Sequence, residues 1–143
     1  MNYEHWERFA LPETQYFETE HWLGVVRRKQ VTLGSSVLLL KRPTPTLSSL
    51  TAEEAVDFVS AAGEFEQRAL AAFGAEKFNY LAAMMKDPFL HFHAFPRYSA
   101  PVTFAGRDWR DEMWPRAIEL RDIDTDEATR DTIRLALAEA SLP

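Results

Sequence analysis

At 143 residues, with 46% hydrophobic and 13% aromatic residues, the chain is long enough to bury one core and too apolar to remain disordered. A net charge of −6 supplies no basic stripe, which argues against a nucleic-acid binder but leaves room for a single nucleotide. The absence of cysteine excludes disulfides, thiolate metal sites and a cysteine nucleophile.

The first dozen residues have no clear period and read as an arm or short helix ending near Pro12. They lack a basic segment followed by an apolar one, so no signal peptide is expected. Tyr16 to Val26 is aromatic and β-branched, with Gly24 as an interruption, and predicts one or two strands. Arg27-Arg28-Lys29-Gln30 is a polar turn. Val37 to Lys41 is a short buried strand ended by Pro43 and Pro45. Its apolar run, Val37 to Leu40, is the longest strongly apolar run in the chain and far too short to cross a bilayer. A soluble, cytoplasmic protein with no membrane association is therefore expected.

Thr51 and Glu54 have capping-box spacing. Phe58, Ala62, Phe65, Ala69 and Phe73 then recur at helical spacing, and Gly74 closes the segment. A long helix over 52–73 follows, its aromatic stripe facing the core. Lys77 to Ala83 predicts a strand, Met84 to Pro88 a connection and Leu90 to Phe95 a further strand ended by Pro96. Ala100 to Leu120 has no regular period. Within it, Asp108 to Glu112 mixes charge signs and reads as solvated surface. Trp109 and Trp114 suit a core plug or a subunit seam, or a lid over a flat ligand. Asp124 and Glu127 mark the start of a C-terminal helix with Ile133, Ala136, Leu137 and Ala140 on its apolar face. The fold class is α+β, a mostly antiparallel sheet with one long helix and a C-terminal helix, in a single domain over 1–143.

The chemistry concentrates in the 90–95 strand. Side chains two residues apart on a strand share a face, so His91 and His93 lie together, about 7 Å apart along the backbone. A histidine among aromatics is often a core residue, but two on one face need several polar partners. The pair can hold a metal if a third ligand is found. It can also bind phosphate or attack phosphorus. The flanks fit phosphate better: Arg97 offers a guanidinium fork and Asn79, on the preceding strand, a donor and an acceptor. Where a metal site would want a carboxylate after the second histidine, Arg97 and Tyr98 stand instead.

Pro88-Phe89-Leu90-His91-Phe92-His93-Ala94-Phe95-Pro96-Arg97 resembles the signature strand of the histidine-triad superfamily, His-φ-His-φ-His-φ-φ with φ apolar, in its bacterial, dinucleoside polyphosphate hydrolase-like form. Phe89 stands where the first histidine belongs, His91 in the middle and His93 third. Phe78 to Leu81 resembles the preceding strand. Leu33 to Pro43 resembles the family's Gly-His-x-Leu-Val-φ-Pro-Lys-Arg-His segment, and Leu50 to Glu54 the start of its helix. The match covers roughly residues 15–100, with 101–143 as an extension.

The resemblance implies a small α+β homodimer that needs no cofactor or metal. It implies a nucleotide-binding hydrolase or nucleotidyl transferase, acting on a phosphoanhydride or phosphoramidate through a covalent phosphohistidine. The substrate would be a nucleoside phosphoramidate, a dinucleoside polyphosphate or a related phosphate ester. His91 would attack and His93 would hold the phosphoryl group, with Asn79, Arg97 and Lys86 as supporting phosphate-binding groups. In the family the nucleophile is oriented largely by a main-chain carbonyl, which Phe89 can still provide. Three departures favour the alternative, a non-catalytic or weakly catalytic nucleotide- or phosphate-binding module: Phe89 itself, Arg27 where members carry the aspartate that grips ribose hydroxyls, and Met84-Met85-Lys86 in place of a polar loop. Ser35 occupies a family histidine position and is given no chemistry. His21 reads as structural.

Overall fold

In a computed structural model, which describes residues 3–140, a five-stranded antiparallel sheet carries one long helix on one face. The strands are β1 (Gln15–Glu18), β2 (Trp22–Val26), β3 (Ser36–Leu40), β4 (Lys77–Leu81) and β5 (His91–Arg97), in the order β1-β2-β3-β5-β4. Helix α1 spans Ala52–Phe73. A two-stranded hairpin, β6 (Val102–Phe104) with β7 (Arg107–Trp109), and helix α2 (Glu127–Glu139) complete the fold. No helix among the described residues is long and apolar enough to cross a membrane.

The ends of α1 follow from its sequence. Thr51 Oγ1 accepts the Glu54 N–H at 3.1 Å, and the Glu54 carboxylate accepts the Thr51 N–H at 2.9 Å. Gly74 ends the helix at φ 73°, where a side chain would be strained. The Arg42 guanidinium also forks onto Glu54 at 2.8 and 2.9 Å, holding its carboxyl down at about 2. The buried stripe runs through Ala61, Phe65, Ala69 and Phe73. Ala61 rather than Ala62 is its inner residue, because a 3.6-residue repeat alternates steps of three and four.

The stripe packs on the sheet face formed by Trp22, Leu38, Leu40 and Ala94. Ile133 and Leu137 of α2 join this core beside Tyr16. Arg68 of α1 donates to the carbonyls of Leu137 and Ala138 at 2.9 and 3.0 Å, which satisfies the end of α2. The opposite sheet face presents Leu23, Val25, Val37 and Leu39. It is covered by the N-terminal arm, a 3-10 helix over Glu4–Phe9 whose Trp6 is buried and donates from Nε1 to Leu40 O at 2.7 Å.

Several expectations change. The 90–95 strand runs on through Pro96 to Arg97, with Pro96 opposite Phe78. The β3 ladder stops at the Ser36–Ala94 pair, so the missing N–H of Pro96 falls beyond it and the β4 pairing survives. Strand β4 ends at Leu81, two residues before Ala83. Residues 100–120 are not wholly irregular: Ala105 and Gly106, at φ 53° and 75°, make the two-residue turn that joins β6 to β7. Helix α2 is capped by Asp126, whose side chain accepts the Thr129 N–H, rather than by Asp124. The Asp108 to Glu112 run is not solvated throughout, since Trp109 and the side chain of Asp111 are buried. Gly24 lies within β2 because the Phe17 ring occupies the space a Cβ would need, at 2.0 Å.

Candidate functional site

Strand register fixes the histidine face. His93 pairs with Val37 and His91 with Leu39, so both imidazoles lie on the arm side of the sheet. Their ring centroids are 5.0 Å apart and nearly perpendicular, at 80°. His91 is 2% exposed. It is roofed by Trp6 and Phe9 of the arm, with centroids at 5.6 and 6.0 Å. Phe89 lies beside them under His5, ring to ring at 5.8 Å.

Each imidazole has a fixed tautomer. Nδ1 of His91 is 2.7 Å from the Phe89 carbonyl oxygen. A carbonyl only accepts, so Nδ1 carries the proton and Nε2 of the neutral ring carries a lone pair. His93 is the reverse: Arg27 Nε–H donates to its Nδ1 at 3.3 Å. Burial, then the Arg27 charge, then His91 push its pKa down to about 4, so near neutrality the ring is uncharged. Its single proton therefore sits on Nε2. One histidine presents a nucleophilic nitrogen and its neighbour a hydrogen-bond donor.

Arg27 itself is held by the Lys29 carbonyl at 2.9 Å and lies 5.6 Å from the Phe95 ring centroid. Desolvation lowers its pKa. It stands at the end of β2, 66 residues from His93 in sequence, and sequence reasoning missed its contact with the histidine. The one hint was its position as the first charged residue after a buried strand.

Beside His93 a cavity of about 520 Å³ opens, lined among others by Arg8, Arg27, Arg28, Lys86 and Arg130. Lys86 thus reaches the histidine site. Asn79 and Arg97 do not. Arg97 is four residues beyond His93, roughly 13 Å along the strand. Its guanidinium is committed to Asp111 at 2.6 and 3.1 Å, to Asn79 Oδ1 at 2.6 Å and to the Arg116 carbonyl at 2.8 Å. Asn79 Oδ1 also accepts the Ile118 N–H at 3.1 Å. The Arg97 and Asp111 side chains are 4% and 0% exposed, so this network ties the segment after β7 to the sheet. Asn79, Arg97 and Trp114 line a separate cavity of about 610 Å³. Trp109 packs in the hairpin core, with Nε1 donating to Phe104 O at 3.0 Å. Ser35 is buried and donates to Thr32 O at 2.7 Å, a turn contact.

The donor set does not suit a metal. Among the described residues no three His, Cys, Asp or Glu side chains converge on one point. The guanidinium beside His93 would also repel a dication.

No family sequence model matches the chain, and no curated protein matches it by sequence. Solved structures do match. A histidine triad protein from Sinorhizobium meliloti superposes with a TM-score of 0.72 at 17% identity, over 99% of this chain and 96% of the other. A hypothetical histidine triad nucleotide-binding protein from Sulfolobus tokodaii gives 0.66 at 13% identity, over 88% and 81%. A zinc-bound histidine triad family protein from Mycobacterium smegmatis gives 0.62 at 20% identity, over 90% and 86%. With the sheet order, the long helix over Ala52–Phe73 and His91 and His93 on one face of β5, these likenesses show that the chain has the histidine-triad fold.

Proposed function

We propose that this protein is a nucleotide-binding hydrolase or nucleotidyl transferase that works through His91. The observation that carries the reading is the pair of opposite tautomers. Nε2 of His91 attacks phosphorus, and the bond from phosphorus to the leaving oxygen or nitrogen breaks. Positive charge that develops on the ring is taken up by the Nδ1–H bond to Phe89 O. Nε2–H of His93 donates to a phosphoryl oxygen, and Arg27 supplies positive charge nearby. Phe89 can give no proton, so the leaving group takes its proton from solvent. Water then displaces His91 from phosphorus, or an acceptor alcohol or phosphate does so in transfer. The nucleotide half of the proposal is supported by the likeness to the Sulfolobus tokodaii protein, whose name describes nucleotide binding. Turnover tests it: His91→Asn should abolish hydrolysis of a nucleoside phosphoramidate, and wild-type rates in that variant would contradict it.

One observation favours the second reading, a binding module with weak catalysis. The cavity reaches His93, while His91 lies under Trp6 and Phe9. A phosphoryl group can approach Nε2 only if the arm yields. It would yield at half-buried Phe9 rather than at Trp6, which is buried and anchored to Leu40 O.

The protein is also proposed to be a homodimer. Val56, Val59 and Leu70 form an exposed stripe on α1. It neighbours the sheet-edge strand β4, where Tyr80 hydrogen-bonds Glu66 of the helix. An unpaired edge beside an apolar stripe invites a second copy. Light scattering should find a dimer at micromolar concentration and a monomer for the Val56→Glu, Val59→Glu double variant. A monomeric wild-type protein would contradict the assignment.

A further inference from the structure

The cavity beside His93 is walled by donors. Six cations line it, Arg8, Arg27, Arg28, Lys29, Lys86 and Arg130, against one carboxylate, Asp87. This is a concentration of positive charge in a chain whose net charge is −6. Two of the six are neutralised, Arg8 by Asp87 at 3.1 Å and Lys29 by Asp122. Arg28 and Lys86 are exposed and have no ion-pair partner among the described residues. The Nε of Arg130 is buried with no acceptor. A buried donor without an acceptor is destabilising unless a ligand supplies one.

The cations come from four places: the N-terminal arm, the turn after β2, the loop before β5 and helix α2. They line one cavity. Cations far outnumber acceptors among its side chains. The Asp87 carboxylate is held by Arg8, and the Thr14 hydroxyl donates to the Phe9 carbonyl. A sugar hydroxyl placed here would find as side-chain acceptors only the Thr14 oxygen and the Asp87 carboxylate, which already holds Arg8. A phosphate monoester brings acceptor oxygens and a charge of about −1.5 to −2 near neutrality, and guanidinium forks match it. The phosphoryl group at His91 and His93 does not by itself employ Arg28, Lys86 and Arg130.

We propose that the preferred ligand is a nucleotide whose ribose carries a second, terminal phosphate ester, bound among Arg28, Lys86 and Arg130. The proposal rests on the reading of His91 and His93 as the site of the first phosphate. It deepens that reading by naming the substrate as a nucleoside bisphosphate rather than a nucleotide with free ribose hydroxyls.

Calorimetric titration of the full chain tests it with four probes: AMP, ADP, adenosine 2′,5′-bisphosphate and adenosine 3′,5′-bisphosphate. At least one bisphosphate should bind tenfold or more tighter than AMP and at least threefold tighter than ADP, which adds its phosphate to the chain instead. Arg28→Ala and Lys86→Ala, both at exposed positions, should each reduce the ratio of bisphosphate to AMP affinity at least threefold. Bisphosphates that bind no tighter than AMP or ADP would overturn the inference and leave the reading of His91 intact. So would an advantage that both variants retain. Failure of all four probes to bind would overturn both.

Discussion

Arg27 Nε donates to His93 Nδ1 at 3.3 Å, across 66 residues of sequence. This contact places the His93 proton on Nε2. Replacing Arg27 by Met should release it. Nitrogen-15 NMR of the wild type should show a neutral His93 with bare Nδ1. In Arg27→Met the pKa should rise from about 4 towards the ordinary histidine value of roughly 6.5, with both tautomers populated. An unchanged His93 signal would separate the tautomer from Arg27.

The same ring gives stability a pH dependence. The folded pKa of His93 is depressed to about 4, below an unfolded value of roughly 6.5. Between these values the unfolded chain binds more protons than the folded one, so acid favours unfolding. The effect is absent above about 6.5 and is complete below about 4. Thermal melts should show the wild type losing Tm through that window more steeply than His93→Gln. Equal slopes would mean that other groups carry the acid sensitivity.

Asp111 holds a buried guanidinium. Asp111→Ala leaves the Arg97 charge without its carboxylate, and breaking a buried pair in this way costs about 3–5 kcal/mol. Chemical denaturation should show a loss of that size. A loss under about 1 kcal/mol would contradict a structural role and reopen Arg97 as a ligand-binding group.

Phe89 should limit the range of leaving groups. General acid assistance is typically worth about 10²–10⁴-fold, and a phenyl ring offers none. Phe89→His should therefore raise turnover on poor leaving groups more than on activated ones. Arg27 has donors only and cannot accept from ribose hydroxyls, so deoxy-AMP should bind within about tenfold of AMP. Uniform effects of Phe89→His across leaving groups, or a strong ribose preference, would show that other residues fill those roles.

The sequence carried the elements whose signals are local. Thr51, Glu54 and Gly74 bound α1 at its observed ends, and the two-residue spacing of His91 and His93 put both on one face. What escaped depends on distant partners. Asp111 sits in a run of mixed charge and looks solvated until Arg97, 14 residues earlier, closes on it. Arg97 and Asn79 offered phosphate-binding groups, but strand length carries them past the histidines and into that network. The β6–β7 hairpin has strands of three residues, too short for alternation to register, and Gly106 was its one local sign. The arm over His91 was legible only as a short helix, because its packing rests on Trp6 reaching Leu40.

If His91 works as proposed, its Nε2 becomes covalently bound to phosphorus. Mass spectrometry of the intact protein, quenched after brief exposure to a nucleoside phosphoramidate, tests it directly. The wild type should gain the mass of one nucleotidyl group in an acid-labile bond, mapped to the peptide carrying His91. His91→Asn should gain none. His93→Ala should form the adduct more slowly, by about 10²–10³-fold, as expected for loss of one preorganised donor. An adduct on His93, or turnover with no adduct at any quench time, would contradict that role for His91.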